Sequence, residues 1–182
     1  MHLLNPNDNK LREPSATFDF NNPPFDPIEF SKDLVKFMYD NHAIGVSAVQ
    51  VGVPYRIFSM RGHPENYVCF NPKIVSYSSE TVLMEESSIT WPGLAVKIKR
   101  PYNVRVRFLT PNGQMRTEQF QGMTARIIQH HMDHMVGDLF YNHADKFHRD
   151  QAFRKWEKIQ REQNGSNIPP RAHFHNWNNE SA

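Results

Sequence analysis

Hydrophobic positions along the chain keep two different rhythms. From residue 27 onward Phe30, Leu34, Phe37 and Met38 recur at i, i+4, i+7 and i+8, the spacing of a helix that buries one stripe. Asp26, then Pro27, then Glu29 three residues after Asp26 mark its start as a cap, a first-turn proline and the acid of a capping box. The middle of the chain changes to short apolar or alternating runs, YRIFSM, YVCFNPKIV, ETVLMEE and NVRVRFL. Val104, Val106 and Phe108 alternate there with Arg105 and Arg107, as in a strand with one buried face. TPNGQ then supplies a turn, with Asn112 and Gly113 favouring positive φ, and MRTEQF returns as the partner strand. After Gly122 the helical spacing resumes and sets Met123, Ile127, His130 and His134 along one side, with Gly137 suited to end the helix. A third helix, over about 148–163, carries Phe153, Trp156 and Gln160 on a narrow stripe among charges, so it is expected to be mostly solvated with one docking edge.

The ends behave differently. Prolines and asparagines in EPSATFDFNNPPF oppose regular structure, yet Phe18, Phe20 and Phe25 are too apolar for a free tail, which predicts an arm lying on the domain. Past Pro169 and Pro170 no helix continues. The organisation expected is an N-terminal arm at 1–25, one domain at 26–147, a C-terminal helix at 148–165 and an extended tail at 166–182.

Composition narrows the function classes. A chain of 182 residues with 38% hydrophobic content can bury one core, and 21 Lys plus Arg against 19 Asp plus Glu argue against nucleic acid as a partner. Cys69 is the single cysteine, so no intrachain disulfide forms, and its strand pattern reads as a small buried apolar side chain. No run approaches the roughly 18 apolar residues of a membrane span, and MHLLNPNDNK lacks the features of a signal peptide, so a cytoplasmic setting is expected.

Candidate chemistry gathers in RIIQHHMDHMVGDLF. His130 and His134, four apart, stand on one helical face and could share a metal ion, which is the frame of the H-E-x-x-H metallohydrolase motif. The glutamate that handles the proton of water in that motif is here His131.

Three segments in this order, AIGVSAVQVGVP, ESSITWPG and QHHMDHMVGDLF, resemble the signature segments of the peptide deformylase family, which read roughly G-x-G-x-A-A-x-Q, E-G-C-L-S and H-E-x-D-H. The likeness runs from about Leu4 to His148 and takes in NPKI and VRVRFL. It implies an α+β fold of peptide-deformylase type, with antiparallel or mixed sheets around a central helix carrying HHMDH. It also implies hydrolysis of the N-formyl group of N-formylmethionyl peptides, the formylated N-terminus being the partner. His130, His134 and, at the cysteine position, Ser88 would then be the ligands of a divalent metal, Fe, Zn or Ni. Gln50 and the backbone N–H of Ile89 would hold the formyl oxygen, and Gly45 would line the cleft. Glu86 matches the glutamate of the second segment and is given a structural role.

The departures from the family pattern are specific. Ser88 replaces the cysteine ligand, Ser87 the glycine before it, His131 the glutamate, and Ala43 the first glycine of the first segment. A serine hydroxyl is a neutral donor where a thiolate is charged and soft, so the site is weakened and left more positive. His131 has two readings, as a substitute proton acceptor or as a third ligand in a three-histidine site. Asp133 likewise either orients a histidine from behind or pairs with a residue such as Arg100. His143, His148 and the HFH at 173–175 lack a ligand framework and are treated as incidental. The alternative to an enzyme is a deformylase fold reused as a non-catalytic structural or interaction module in a larger assembly, for example a virion or a ribosome-associated complex, meeting protein partners through its extended ends.

Overall fold

In the computed structural model, which describes residues 1–164, Asp26 caps the first helix as expected. Its carboxylate accepts from the backbone N–H of Ile28 and Glu29 at 2.8 and 3.1 Å, and α1 spans Pro27–Asp40. Leu34 and Met38 are enclosed, with Phe30 and Phe37 half-buried beside them. The tail expected at 166–182, with its HFH, lies outside the described residues.

Seven strands follow: β1 (Gly45–Ser47), β2 (Ile57–Met60), β3 (Tyr67–Tyr77), β4 (Thr81–Ser88), β5 (Trp91–Pro101), β6 (Asn103–Leu109) and β7 (Met115–Gln121). They form a five-stranded sheet in the order β1-β2-β3-β6-β7 and a separate β4-β5 ribbon, and every named pair is antiparallel. The turn between β6 and β7 closes as TPNGQ implied, although Gly113 alone takes positive φ and Asn112 does not.

Strand β5 was not foreseen. Pro92 and Gly93 at its start read as breakers, while the alternation that should have revealed it begins only at Leu94 and continues through Val96 and Ile98. Those three side chains are buried with Leu139, Phe140 and Tyr141, and Phe153 and Trp156 pack against the same cluster. The last two come from α3 (Lys146–Asn164), whose docking edge is therefore on β5, where the Trp156 indole donates to the Pro92 carbonyl at 2.9 Å.

Helix α2 (Gly122–Val136) lies across the larger sheet. Ala125, Ile128 and Met135 pack on Phe58, Met60, Cys69, Val104, Val106, Phe108 and Phe120, so Cys69 is indeed a core residue. Met123 departs from the expected stripe: it is 50% exposed in the first turn, because the buried seam runs through Ala125 and Ile128 instead.

The N-terminal arm does lie on the domain. Leu4, Ser15 and Ala16 donate backbone hydrogen bonds to the carbonyls of Gln50, Met135 and Pro54. Phe18 exchanges hydrogen bonds with the Asn71 side chain, both 2.8 Å, and its buried ring packs among Phe20, Phe25, Tyr55 and Phe70. Among the described residues no helix is long and apolar enough to cross a membrane.

Gly137 joins arm and helix. It ends α2 at φ 74°, and a Cβ there would stand 2.5 Å from the Arg12 carbonyl oxygen. Gly137→Ala is expected to cost more than the ~1–2 kcal/mol of left-handed strain alone, since backbone must also move; denaturant unfolding reads the loss, and a change within 0.5 kcal/mol would contradict the packing described.

Candidate active site

Strand alternation fixes one wall of the site. Glu86 and Ser88 both face inward from β4 while Ser87 between them is exposed. Helix α2 supplies the facing wall with His130, His131 and His134, all buried. Glu86 joins the two walls: Arg100 reaches its two oxygens at 2.6 and 2.9 Å, Arg126 donates to it at 2.9 Å, and His130 Nδ1 lies 3.0 Å away. Burial alone would push this carboxyl's pKa up, but the hydrogen bonds from His130 and Arg100, with the Arg100 charge, bring it down to about 2. As a carboxylate Glu86 only accepts, so His130 carries its proton on Nδ1 and its Nε2 lone pair is left available.

The third wall is the 3₁₀ turn Ala48–Val51 that follows β1. There the Ser47 backbone N–H donates to Gln50 Oε1 at 2.9 Å, which orients the Gln50 amide so that Nε2 donates to Ser88 Oγ at 3.2 Å and Thr90 Oγ1 at 3.0 Å. Ile89 stands between those hydroxyl residues where the ribbon turns. Thus Gln50 and Ser88 are in contact, with Ile89 next to Ser88 in the chain.

His131 meets both other imidazoles, edge-on to His130 with centroids 5.3 Å apart and stacked with His134 at 6.1 Å, but its remaining partners are its own. Its ring stacks on Phe58 with centroids 5.5 Å apart, and Nδ1 is 2.8 Å from Ser47 Oγ. Nε2 lies against Gly45, where a Cβ would be 2.4 Å away. Burial, and then the neighbouring His130 and His134, hold the pKa of His131 well below the ordinary histidine value. The three-histidine arrangement is not adopted, because Ser47 and Phe58 fix the third ring. Among the described residues no three His, Cys, Asp or Glu side chains form a metal cage.

His134 is fully buried and stacks on Trp91, and among the described residues neither ring nitrogen has a hydrogen-bond partner. A buried neutral imidazole left in that state costs roughly 1–3 kcal/mol. Its centroid is 5.1 Å from that of His130, the separation about expected for two imidazoles sharing one cation through bonds of ~2 Å. A divalent cation would fit these donors: both His134 nitrogens lack a hydrogen-bond partner among the described residues, His130 has Nε2 outside its bond to Glu86, and Ser88 faces inward from β4.

Asp133 does not orient His130 or His134. It pairs with Arg100 at 2.7 Å and with His143 at 3.2 Å, so it supports the site only through Arg100 and Glu86. His143 is held between Asp133 and Asp138, and those hydrogen bonds raise its pKa to about 9. Ser47, Thr90 and Phe58 were not foreseen as site residues. Ser47 and Thr90 lie inside the quoted motifs, but a serine or threonine there gives no signal until its partner across the fold is known.

A family model described as polypeptide deformylase matches residues 1–150. The peptide deformylase of Afipia carboxidovorans is 35% identical over 133 residues, covering 70% of this chain and 78% of that protein. Among solved structures, a peptide deformylase from Synechococcus elongatus in complex with actinonin aligns with TM-score 0.79 and 26% identity over 86% of each chain. A Met-Ala-Ser-bound peptide deformylase from Acinetobacter baumannii aligns at 0.72 and 28% identity, over 79% of this chain and 97% of that one.

Two pH dependences follow from the site's charges. Glu86 has a folded pKa near 2 against 4.5 ordinarily, so its stabilisation is present above pH 4.5 and lost as pH falls through 2. Glu86→Gln should lose on the order of 3 kcal/mol at neutral pH, and unfolding curves of the two proteins should converge in acid. For His143 the sign is opposite: its contribution is full below pH 6.5 and disappears as pH rises through about 9. The Tm gap between wild type and His143→Gln should therefore be wide at pH 6 and closed at pH 10, and a gap independent of pH would refute the bridging role.

Proposed function

The chain belongs to the peptide deformylase family, and from that premise we propose that it is a slow, metal-dependent deformylase acting on N-formylmethionyl peptides in the cytoplasm. The family is metal-dependent, and His130, His134 and Ser88 would hold the ion, Fe, Zn or Ni. When bound, that ion supplies Lewis-acid polarisation of the formyl carbonyl and lowers the pKa of water. The observation that carries this reading is His134, whose two buried nitrogens have no hydrogen-bond partner among the described residues, within a framework that also sets Gln50 beside Ser88.

The chain's own residues do the rest. Glu86 keeps the His130 proton on Nδ1. Ser47 aims the Gln50 amide, whose N–H groups would pass from Ser88 and Thr90 to the formyl oxygen, joined by the Ile89 backbone N–H. Gly45 would line the peptide cleft, and its missing Cβ is what makes room for the His131 ring. Met-Ala-Ser in the Acinetobacter relative is the product such a peptide would leave.

Two substitutions limit the rate. The neutral Ser88 hydroxyl weakens the hold on the ion compared with a thiolate. No carboxylate stands at position 131 to take a proton and return it to the leaving amine, a loss of roughly 10²–10⁴ in rate. The alternative of a non-catalytic module drew on the extended ends, and the N-terminal one is laid on its own domain.

Metal analysis with a formyl-Met-Ala-Ser assay tests the proposal. Expected are a stoichiometric ion, slow wild-type turnover, tighter metal retention in Ser88→Cys and a kcat raised at least about tenfold in His131→Glu. A folded Ser88→Cys/His131→Glu protein that neither binds metal nor turns over would overturn it.

A further inference from the structure

A cleft of about 260 Å³ opens where β3, β5 and α2 meet, and none of His130, His131, His134 or Ser88 lines it. It falls just below the ~300 Å³ at which pockets for drug-sized ligands begin, so its occupant is small. Ile74 and Met132 give it apolar surface. Lys99, Arg100 and His143 give it three cations, His143 being charged because Asp133 and Asp138 raise its pKa to about 9. Asp133 is the one carboxylate among the lining residues.

Arg100 decides what the cleft can take. Its side chain is only 7% exposed, with Nε and Nη2 engaged by Glu86 at 2.6 and 2.9 Å and Nη2 also by Asp133 at 2.7 Å. A guanidinium carries five N–H donors in a fixed plane, and these contacts leave both donors of Nη1 without a hydrogen bond among the described residues. An oxygen bound in the cleft supplies their acceptor. Charge then selects the kind of oxygen. Glu86 is shared with Arg126, Asp133 Oδ2 is held by both Arg100 and His143, and Asp138 pairs with His143. Those anions and cations match one for one, and the charge left over is Lys99, which has no ion pair among the described residues.

We propose that this cleft binds a small carboxylate on an apolar stem, the carboxylate accepting from Arg100 Nη1 and Lys99 Nζ and the stem lying on Ile74 and Met132. The charged acceptor makes stronger hydrogen bonds to a guanidinium than a neutral one would. The site is separate from the peptide cleft, and its assignment does not rest on the deformylase reading. Arg100 nevertheless joins the two places, since the same guanidinium holds Glu86 and Glu86 holds His130.

The test follows the Met132 methyl group by ¹H–¹³C NMR in the full-length protein labelled at methionine, with the resonance assigned by its loss in Met132→Leu. Three probes are titrated: sodium isovalerate has charge and stem, isovaleramide the stem without the charge, and sodium phosphate the charge without the stem. Isovalerate should shift the resonance saturably with a Kd on the order of 1 mM. Isovaleramide should bind at least about fivefold more weakly, and phosphate should leave the resonance in place. Lys99→Gln, at an exposed position, should weaken isovalerate at least about twofold. The proposal is overturned by no saturable shift at tens of millimolar, by an amide that binds as well as the acid, by a phosphate response matching that of isovalerate, or by an affinity unchanged in Lys99→Gln. An inactive protein that binds isovalerate in the expected way would defeat the deformylase proposal and leave this site standing.

Discussion

Three donors converging on the buried carboxylate of Glu86 are the constraint on which the site depends. Arg100 comes from β5, and Arg126 and His130 from α2, so one anion ties the two-stranded ribbon to the helix that crosses the larger sheet. An ionised carboxylate could not be enclosed there without such pairing. Because Glu86 and Ser88 share a face of β4, fixing the first fixes the second against the histidines. A slip of one residue would turn Ser87 inward and Ser88 to solvent.

That framework is independent of the two substitutions within it. Thiolate to Ser88 and carboxylate to His131 remove two negative charges relative to the family pattern. The remaining anion, Glu86, lies behind His130 and is already matched by two arginines. A cation would therefore meet only neutral donors. Under the proposed function the hold on an ion would be weaker for that reason, although the fold of the family is kept.

Local signals in the sequence were legible where they act locally. Asp26-Pro27 placed a helix start, Val104 to Phe108 placed a strand, and the spacing of His130 and His134 placed both rings on one buried face. The motifs also named Gln50 and Ser88, which the fold brings within hydrogen-bond distance. What was hidden depends on partners distant in the chain. Strand β5 begins on Pro92 and Gly93, whose local preference is overridden by pairing with β4 and by the docking of Trp156. Asp133 had two candidate roles that only the position of Arg100 could separate. Ser47 and His131 are 84 residues apart, and neither residue predicts the other.

The pocket around position 131 is matched to its imidazole in shape. The imidazole needs the space that Gly45 leaves, since a Cβ at Gly45 would stand 2.4 Å from Nε2, so this glycine now serves a side chain as well as a backbone approach. Phe58 supplies a flat apolar face that suits a neutral ring and would favour a carboxylate less. Ser47, by contrast, would serve either occupant, because a hydroxyl donates as readily to a carboxylate oxygen as to Nδ1. The surroundings of His131 are thus adapted in shape and polarity to a neutral imidazole, yet keep the one hydrogen-bond donor that a glutamate would need. A reversal at that single position is for this reason structurally economical.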